Sequence, residues 1–328
     1  MSSVEPVPQT RDMSGDELSA DDAYRALRRY GRWPLVRDAF IRFRYGDGFS
    51  HARAFAFQLC LAVVPFLIAF SGLASDLGAD NGGKVVGDTV LAITPGASEP
   101  LVRQLIEDKH GELALILGLL TGLIALTTAM AQIERGAHRI YGVERDRPSV
   151  AKYTRATVLM LVAGVPGLFG FLLLVAGRPF GDAAERHWGW EGEVRVAWDF
   201  VRWPLSLVLT VIAVALLFRY GPRRHQPGLS WLLFGAVLAT VLWWLASTLL
   251  AGYVRLSGQF GATYGGLTAI MALLLWANLT GLALFIGVAF AAQLEAKRVG
   301  VRRPAKQDVW KPAVAERQLP KQRSARGR

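Results

Sequence analysis

The chain has 328 residues, of which 52% are hydrophobic, with 34 glycines and a formal net charge of +11. Soluble domains carry about 45–50% apolar residues with glycine counted; this chain exceeds that before glycine is added, so an ordinary soluble domain is excluded and a polytopic membrane protein is indicated. The single cysteine, Cys60, excludes an intramolecular disulfide, a CxxC redox pair and Cys-rich metal spacing. Inside an apolar run, it reads as a small packing residue.

Residues 1–32 form a polar tail that is expected to be largely disordered, its first 22 residues acidic with Pro and Ser. Trp33 to Tyr45 places Val36, Ala39, Phe40 and Phe43 at helical spacing, with Arg37, Arg42 and Arg44 on other faces. That pattern fits an interfacial amphipathic helix in the inner headgroup layer, or a charged lead-in that orients the first span. No short apolar stretch with a small-residue cleavage site precedes Ala54, which argues against a cleaved signal peptide.

Stretches free of Asp, Glu, Lys and Arg locate the spans, expected at about 54–75, 113–133, 156–177, 200–219, 229–254 and 264–294. The first three hold 22, 21 and 22 residues, close to the roughly 20 needed to cross a bilayer. The expected fold class is therefore all-α, a polytopic membrane helical bundle of six transmembrane helices within residues 33–298. Between the first two spans, Val85 to Ile93 and the segment after Ser98-Glu99-Pro100, with Leu101, Val102, Leu105 and Ile106, predict a small helical cap. The next loop on that side holds Trp188, Trp190, Trp198 and Trp203, which read as aromatic anchors at the membrane boundary.

The last charge-free stretch, Leu256 to Leu294, is 39 residues long. As one helix it would measure about 58 Å, against a hydrocarbon core of about 30 Å. Its Gly-rich start, Ser257 to Gly266, must then be a bend, with the span following. Residues 299–328 form a basic tail with Pro304, Pro312 and Pro320, expected to be disordered and attracted to anionic lipid headgroups. RNA is the other polyanion such a tail could meet, but the tail lacks the interleaved aromatics that stack bases, and no specific nucleic acid is expected.

Loop charge orients the bundle. The two tails with residues 134–155 and 219–230 hold 29 basic and 14 acidic residues, against 8 and 12 on the other side. Both termini are expected in the cytoplasm.

The charge-free stretches, the fourth of which is Trp203 to Phe218, contain no charged side chain, and His51, His110, His138, His187 and His225 fall outside them or at their edges. Intramembrane carboxylates mark proton relays, and enzymes need clustered titratable groups; neither reading is favoured, and no cofactor or metal is expected. Glu134 and His138, at i and i+4, have a spacing that could bind metal, but a surface ion pair or hydrogen bond is commoner. Gly118 and Gly122 form a GxxxG pattern suited to close helix packing within the monomer. Pro65, and Pro166 among Gly164, Gly167 and Gly170, bend helices in a way that suits a cavity that opens and closes. Gln58 and Asn278 are the most polar side chains in mid-span and the candidates for its lining. With Tyr264, Gly265, Gly266 and Trp276 of the last segment, these residues make up the candidate cavity and hinge set.

Three blocks carry a family resemblance. They are Ala54-Phe55-Ala56-Phe57-Gln58 through Val64-Pro65-Phe66, Gln132 through Arg139-Ile140-Tyr141-Gly142, and Tyr264-Gly265-Gly266 through Leu273-Leu274-Leu275-Trp276 to Gly287. Over residues 35 to 298 the chain resembles the YihY/BrkB family of bacterial inner-membrane proteins. The last block, a Tyr-Gly turn before an LLLW-bearing helix, is the most specific. The resemblance implies six membrane helices and a biochemical role not settled for the family, whose members have carried virulence-factor and ribonuclease labels and suggestions of lipid handling or transport. Two departures stand out: Gly287-Val288-Ala289 lies where the family usually has Gly-Ala-Glu, so the carboxylate is missing there, and His138 lies where Asn is frequent. The residues do not supply the metal-binding carboxylate cluster a nuclease needs. The expected activity is transfer of a lipid-like or amphipathic substrate; the alternative is a non-catalytic scaffold for envelope assembly, and an enzyme comes third.

Overall fold

The computed structural model describes residues 3–8, 19–76, 81–93, 111–143, 148–190, 192–256, 266–301 and 303–306. Helices make up almost all of it. In chain order they are α1 (Ala20–Tyr30), α2 (Arg32–Tyr45), α3 (Gly48–Asp76), α4 (Asn81–Ile93), α5 (Gly111–Tyr141), α6 (Ser149–Leu159), α7 (Val165–Val175), α8 (Gly177–Trp188), α9 (Glu193–Tyr220), α10 (Leu229–Leu256) and α11 (Gly266–Arg298). A π-helical turn, Met160–Gly164, joins α6 to α7. Pro166 follows at once; its ring cannot sit against the carbonyl four residues back, and widening the preceding turn accommodates it.

Among the described residues, five segments are long and apolar enough to cross a membrane: Leu115–Tyr141, Ser149–Val175, Glu193–Tyr220, Leu229–Val254 and Ile270–Arg298. They match the second to sixth predicted spans. The interval assigned to the first lies within α3, a helix of 29 residues. Several helices run beyond the charge-free intervals, so α5 includes Glu134 and α11 includes Glu295.

The helices form a ring. Helix α3 packs along α5; α11 lies against α3, α10 and α2; α10 meets α9, and α9 meets α7. Glycines set the α7–α9 contact, since a Cβ at Gly170 would come within 2.9 Å of Thr210 Oγ1 and 3.0 Å of the Ser206 carbonyl. The chain tails gather at one end of the ring, and α4 with α8 forms a cap at the other.

Burial is unequal between these ends. From Ala129 to Tyr141, only Gln132, Arg135 and Arg139 of α5 escape burial, whereas from Leu115 to Thr128 only Gly118 and Gly122 are buried. Helix α10 buries Trp231, Leu232, Gly235, Ala236, Ala239 and Thr240 and no residue after them as far as Val254. On α11 nothing from Ile270 to Trp276 is buried, while every residue from Gly287 to Ala296 is. The core therefore sits in the tail-bearing half, and the cap half of the spans is mostly exposed.

The cap confirms the helix expected near Val85 to Ile93; the one expected after Ser98 lies outside the described residues. Asp88 of α4 binds α8 through His187 Nε2 at 3.0 Å and Arg186 Nη2 at 3.2 Å. Three of the loop tryptophans, read as membrane anchors, also pack on one another. Trp188, Trp190 and Trp198 surround Phe180 with ring centroids 5.4–5.9 Å from it, and Trp198 Nε1 donates to the Gly177 carbonyl at 2.7 Å. They hold α8 to the start of α9. Trp203 remains exposed, with the Arg202 guanidinium over its ring.

The expectation of a largely disordered 1–32 needs correction. Ser19 caps α1 in a reciprocal box with Asp22, and Asp21 and Asp22 at its start oppose Arg28 and Arg29 at its end, matching the helix dipole. The hydrogen bond from the Ser19 backbone holds the Asp22 carboxyl below its ordinary range. Helix α1 packs on α10 and α11. Residues 3–8 lie extended beside 303–306, with Glu5 N donating to the Pro304 carbonyl at 3.1 Å and Lys306 N to that of Ser3 at 2.8 Å. This strap buries Val4 and Val7.

Helix α2 is amphipathic, with its faces assigned differently from the sequence reading. Leu35, Ala39 and Phe43 face the bundle together with Asp38 and Arg42, while Trp33, Val36 and Phe40 are exposed. An outward apolar stripe of this kind suits insertion into an interface.

Candidate functional site, a buried polar network

The candidate cavity and hinge residues serve mainly as contacts between helices. Thr128 Oγ1 donates to Gln58 Oε1 at 2.8 Å, tying α5 to α3. Gly118 lies against the Pro65 and Ala69 backbone, and Gly122 against the Phe66 ring. Trp276 joins three spans: its Nε1 donates to Ser247 Oγ at 3.1 Å, and its ring lies 5.3 Å from that of Phe171. Pro166 and Asn278 are half-buried, Gly266 begins α11, and Tyr264 and Gly265 lie outside the described residues. Among the described residues, these side chains are spread over several helix contacts and are not gathered into one site.

A polar network does assemble at the tail-bearing end. Arg42 of α2 is fully buried, donating from Nε to Gln293 Oε1 at 2.8 Å and from Nη1 to the carbonyls of Glu5 at 3.0 Å and Ile140 at 3.1 Å. Burial lowers its guanidinium to about 10, still charged at neutral pH. Arg224, in the loop between α9 and α10, grips Glu295 of α11 with both Nη atoms, at 2.9 and 2.6 Å, and gives one also to the Pro8 carbonyl at 2.7 Å. Its guanidinium lies 4.7 Å from the Tyr141 ring. Paired, planar donors of this kind favour Arg over Lys.

Glu134, His138 and Tyr141 follow one another along one face of α5, all buried. The backbone N–H of Arg223 donates to His138 Nε2 at 2.8 Å, which fixes that nitrogen as the acceptor of a neutral ring. The reading of Glu134 and His138 as a surface pair is thus overturned: both face the bundle. Glu295 supplies a carboxylate to α11 six residues beyond Ala289, while Gly287-Val288-Ala289 itself carries none. Among the described residues no three His, Cys, Asp or Glu side chains stand close enough to hold a metal ion.

Three buried nitrogens of the network, Arg42 Nη2, Arg224 Nε and Gln293 Nε2, have no hydrogen-bond partner among the described residues, whereas the Tyr141 hydroxyl and the Gln226 side chain interact. Native structures leave few such groups, and a local concentration of them calls for a physical reason. Charge counting along the chain missed the network because its members come from five separate stretches. A usable signal was present: Arg42 recurs at helical spacing with Leu35, Ala39 and Phe43, which places it on the apolar face.

The sequence profile described as "Virulence factor BrkB" matches residues 39–311. The chain belongs to that family. It is similar to a protein named as ribonuclease-like, YfkH of Bacillus subtilis (strain 168), with 26% identity over 80% of this chain and 96% of that one. UPF0761 membrane proteins of Chromohalobacter salexigens and Alkalilimnicola ehrlichii share 24% and 28% identity over 84% and 80% of this chain. It spans 66% and 59% of their lengths. No solved structure matches. The BrkB-family chain is thus an integral membrane protein with several transmembrane-length helices.

Proposed function

We propose that this BrkB-family protein transfers a lipid-like or amphipathic molecule across the inner membrane. The observation that supports it is the uneven burial: the helices that bury most of their circumference at the tail-bearing end expose it toward the cap. On α5, Ile116, Leu117, Leu119, Leu120, Thr121, Leu123 and Ile124 are exposed, an arc of about 200° at 3.6 residues per turn. Such a surface is apolar and continuous with the acyl region, above the packed core. An amphipathic molecule could travel along it with its chains still in lipid.

Reconstitution in vesicles containing fluorescent phospholipids, with reduction of outer-leaflet label by dithionite, tests this reading. Label in the protected leaflet is expected to become accessible at least about tenfold faster than in protein-free vesicles, a barrier change of about 1.4 kcal/mol. No acceleration for any phosphatidylglycerol, phosphatidylethanolamine or undecaprenyl-linked probe would overturn it.

In this reading α3 is the first of six spans, the two tails lie in the cytoplasm and the cap lies outside, following the basic-residue excess. In a Cys60→Ala background, an Asn81→Cys variant is expected to react with a membrane-impermeant maleimide in intact cells, and an Arg44→Cys variant only after lysis. The reverse pattern would invert the bundle. The scaffold reading draws on the cap, where the Asp88 ion pairs and the Phe180 aromatic cluster present a braced surface for another envelope protein.

A further inference from the structure

Helix α2 presents unlike sides to the bundle and away from it. The inner side is tied down: Asp38 is held by Lys297 Nζ of α11 at 2.8 Å and by Arg37 at 3.3 Å, and Arg42 is fully buried. The outer side carries Trp33, Arg37, Phe40 and Arg44, all exposed. At 3.6 residues per turn these four fall within an arc of about 60°, so rings and guanidiniums share one line along the helix. Trp33 is 77% exposed and Phe40 48%. Water does not favour that ring surface, and hydrocarbon does not take the two charges. A phospholipid headgroup layer meets both demands, because rings settle at its acyl border while arginine stems carry their charge out to the phosphates.

The elbow after α2 places the line at that depth. Gly46 N donates to the Arg42 carbonyl at 2.9 Å, and α3 starts at Gly48, where a Cβ would strike the Phe43 ring. Phe49, in the first turn of α3, lies edge-on to Phe43 at 4.8 Å and to Phe40 at 6.4 Å between ring centroids. These contacts fix α2 against α3. Phe49 precedes the charge-free stretch starting at Ala54 by five residues, about 7.5 Å along a helix, and a headgroup layer is about 5–8 Å deep. From residue 32 to 53 the exposed charges are Arg32, Arg37, Arg44 and Arg53 against Asp47, a basic surface.

We propose that the outer line of α2 is a binding surface for anionic phospholipid in the leaflet at the tail-bearing end, with Trp33 and Phe40 seated in the acyl border and Arg37 and Arg44 paired with phosphates. Guanidinium forks suit phosphate oxygens. The excess positive charge selects lipids of net negative charge, since in phosphatidylcholine the choline cancels the phosphate. Such binding requires α3 to cross the membrane as the first of six spans, and it does not require lipid transfer.

The test uses the full chain with Cys60→Ala and Val36→Cys, labelled with bimane and placed in phosphatidylcholine nanodiscs. Val36 borders the line and is itself exposed. Doxyl-labelled phosphatidylglycerol or doxyl-labelled phosphatidylcholine is titrated in, and quenching reports which lipid gathers at α2. One arginine at an anionic surface is worth about fivefold in binding. Half-maximal quenching is therefore expected at a mole fraction of phosphatidylglycerol about fivefold or more below that of phosphatidylcholine. Adding Arg37→Gln/Arg44→Gln is expected to bring the two lipids within about twofold of each other, while quenching by phosphatidylcholine persists because the rings still hold the helix in lipid. Equal quenching by the two lipids with both arginines present, or a preference that survives their loss, overturns the proposal. Absence of quenching by either lipid overturns it too and identifies a protein surface as the occupant of this face.

Discussion

Replacing Arg224 with alanine is expected to lower the unfolding free energy by about 3–5 kcal/mol, the cost of leaving one partner of a buried ion pair behind. Glu295 is fully buried and the Arg224 side chain nearly so, and the carboxylate takes both of the arginine's Nη atoms. With the guanidinium gone, Glu295 must either stay charged without its partner or take up a proton. Arg224→Lys recovers only part of the loss, because one ammonium cannot serve both carboxylate oxygens, the Pro8 carbonyl and the Tyr141 ring together. Arg224→Leu/Glu295→Leu is expected to be milder than the single change, since apolar residues of similar volume often replace a buried pair at little cost. Denaturant unfolding in mixed micelles measures all of these. If the double variant lost as much as the single, the pair would not be what joins the α9–α10 loop to α11.

That pair shows where sequence reading stops. Spans are legible because the bilayer demands long charge-free stretches, and the six intervals were read from that demand alone; five coincide with helices that satisfy it and the remaining one falls within α3. The helix at Asn81–Ile93 was legible from its apolar spacing. The network was not, because it depends on which charged residues just outside the intervals turn inward. Arg135 and Glu134 are neighbours on α5, yet one is exposed and the other buried; no charge count separates them. Pro166 was read as a bend and stands directly after a π-helical turn, since a proline's effect on its own helix is local. The strap lay beyond reach, because its contacts are made by main-chain atoms whose partners lie as far away as Pro304.

Gly118→Ala is expected to destabilise the bundle by about 1–3 kcal/mol, the usual cost of forcing extra volume into a packed seam, whereas Gly122→Ala falls below that range. The two glycines share one face of α5 and differ in what they touch. A Cβ on Gly118 would lie 2.6 Å from the Ala69 backbone nitrogen and 2.7 Å from the Pro65 carbonyl oxygen, neither of which can rotate away. A Cβ on Gly122 would meet the edge of the Phe66 ring at 3.2 Å, and a ring can shift by the few tenths of an ångström required. Between membrane helices such close approach is itself a main source of attraction, because lipid supplies no hydrophobic drive. The contact lies in the cap half of α5, where among the described residues these glycines are the only buried ones before Ala129. There α3 and α5 stay joined backbone to backbone, so this pair serves as a fixed wall beside the proposed transfer surface. Unfolding of both variants in micelles separates the cases. If Gly122→Ala cost as much as Gly118→Ala, the seam would depend on ring packing rather than backbone contact, and α3 would be free to move with the other spans.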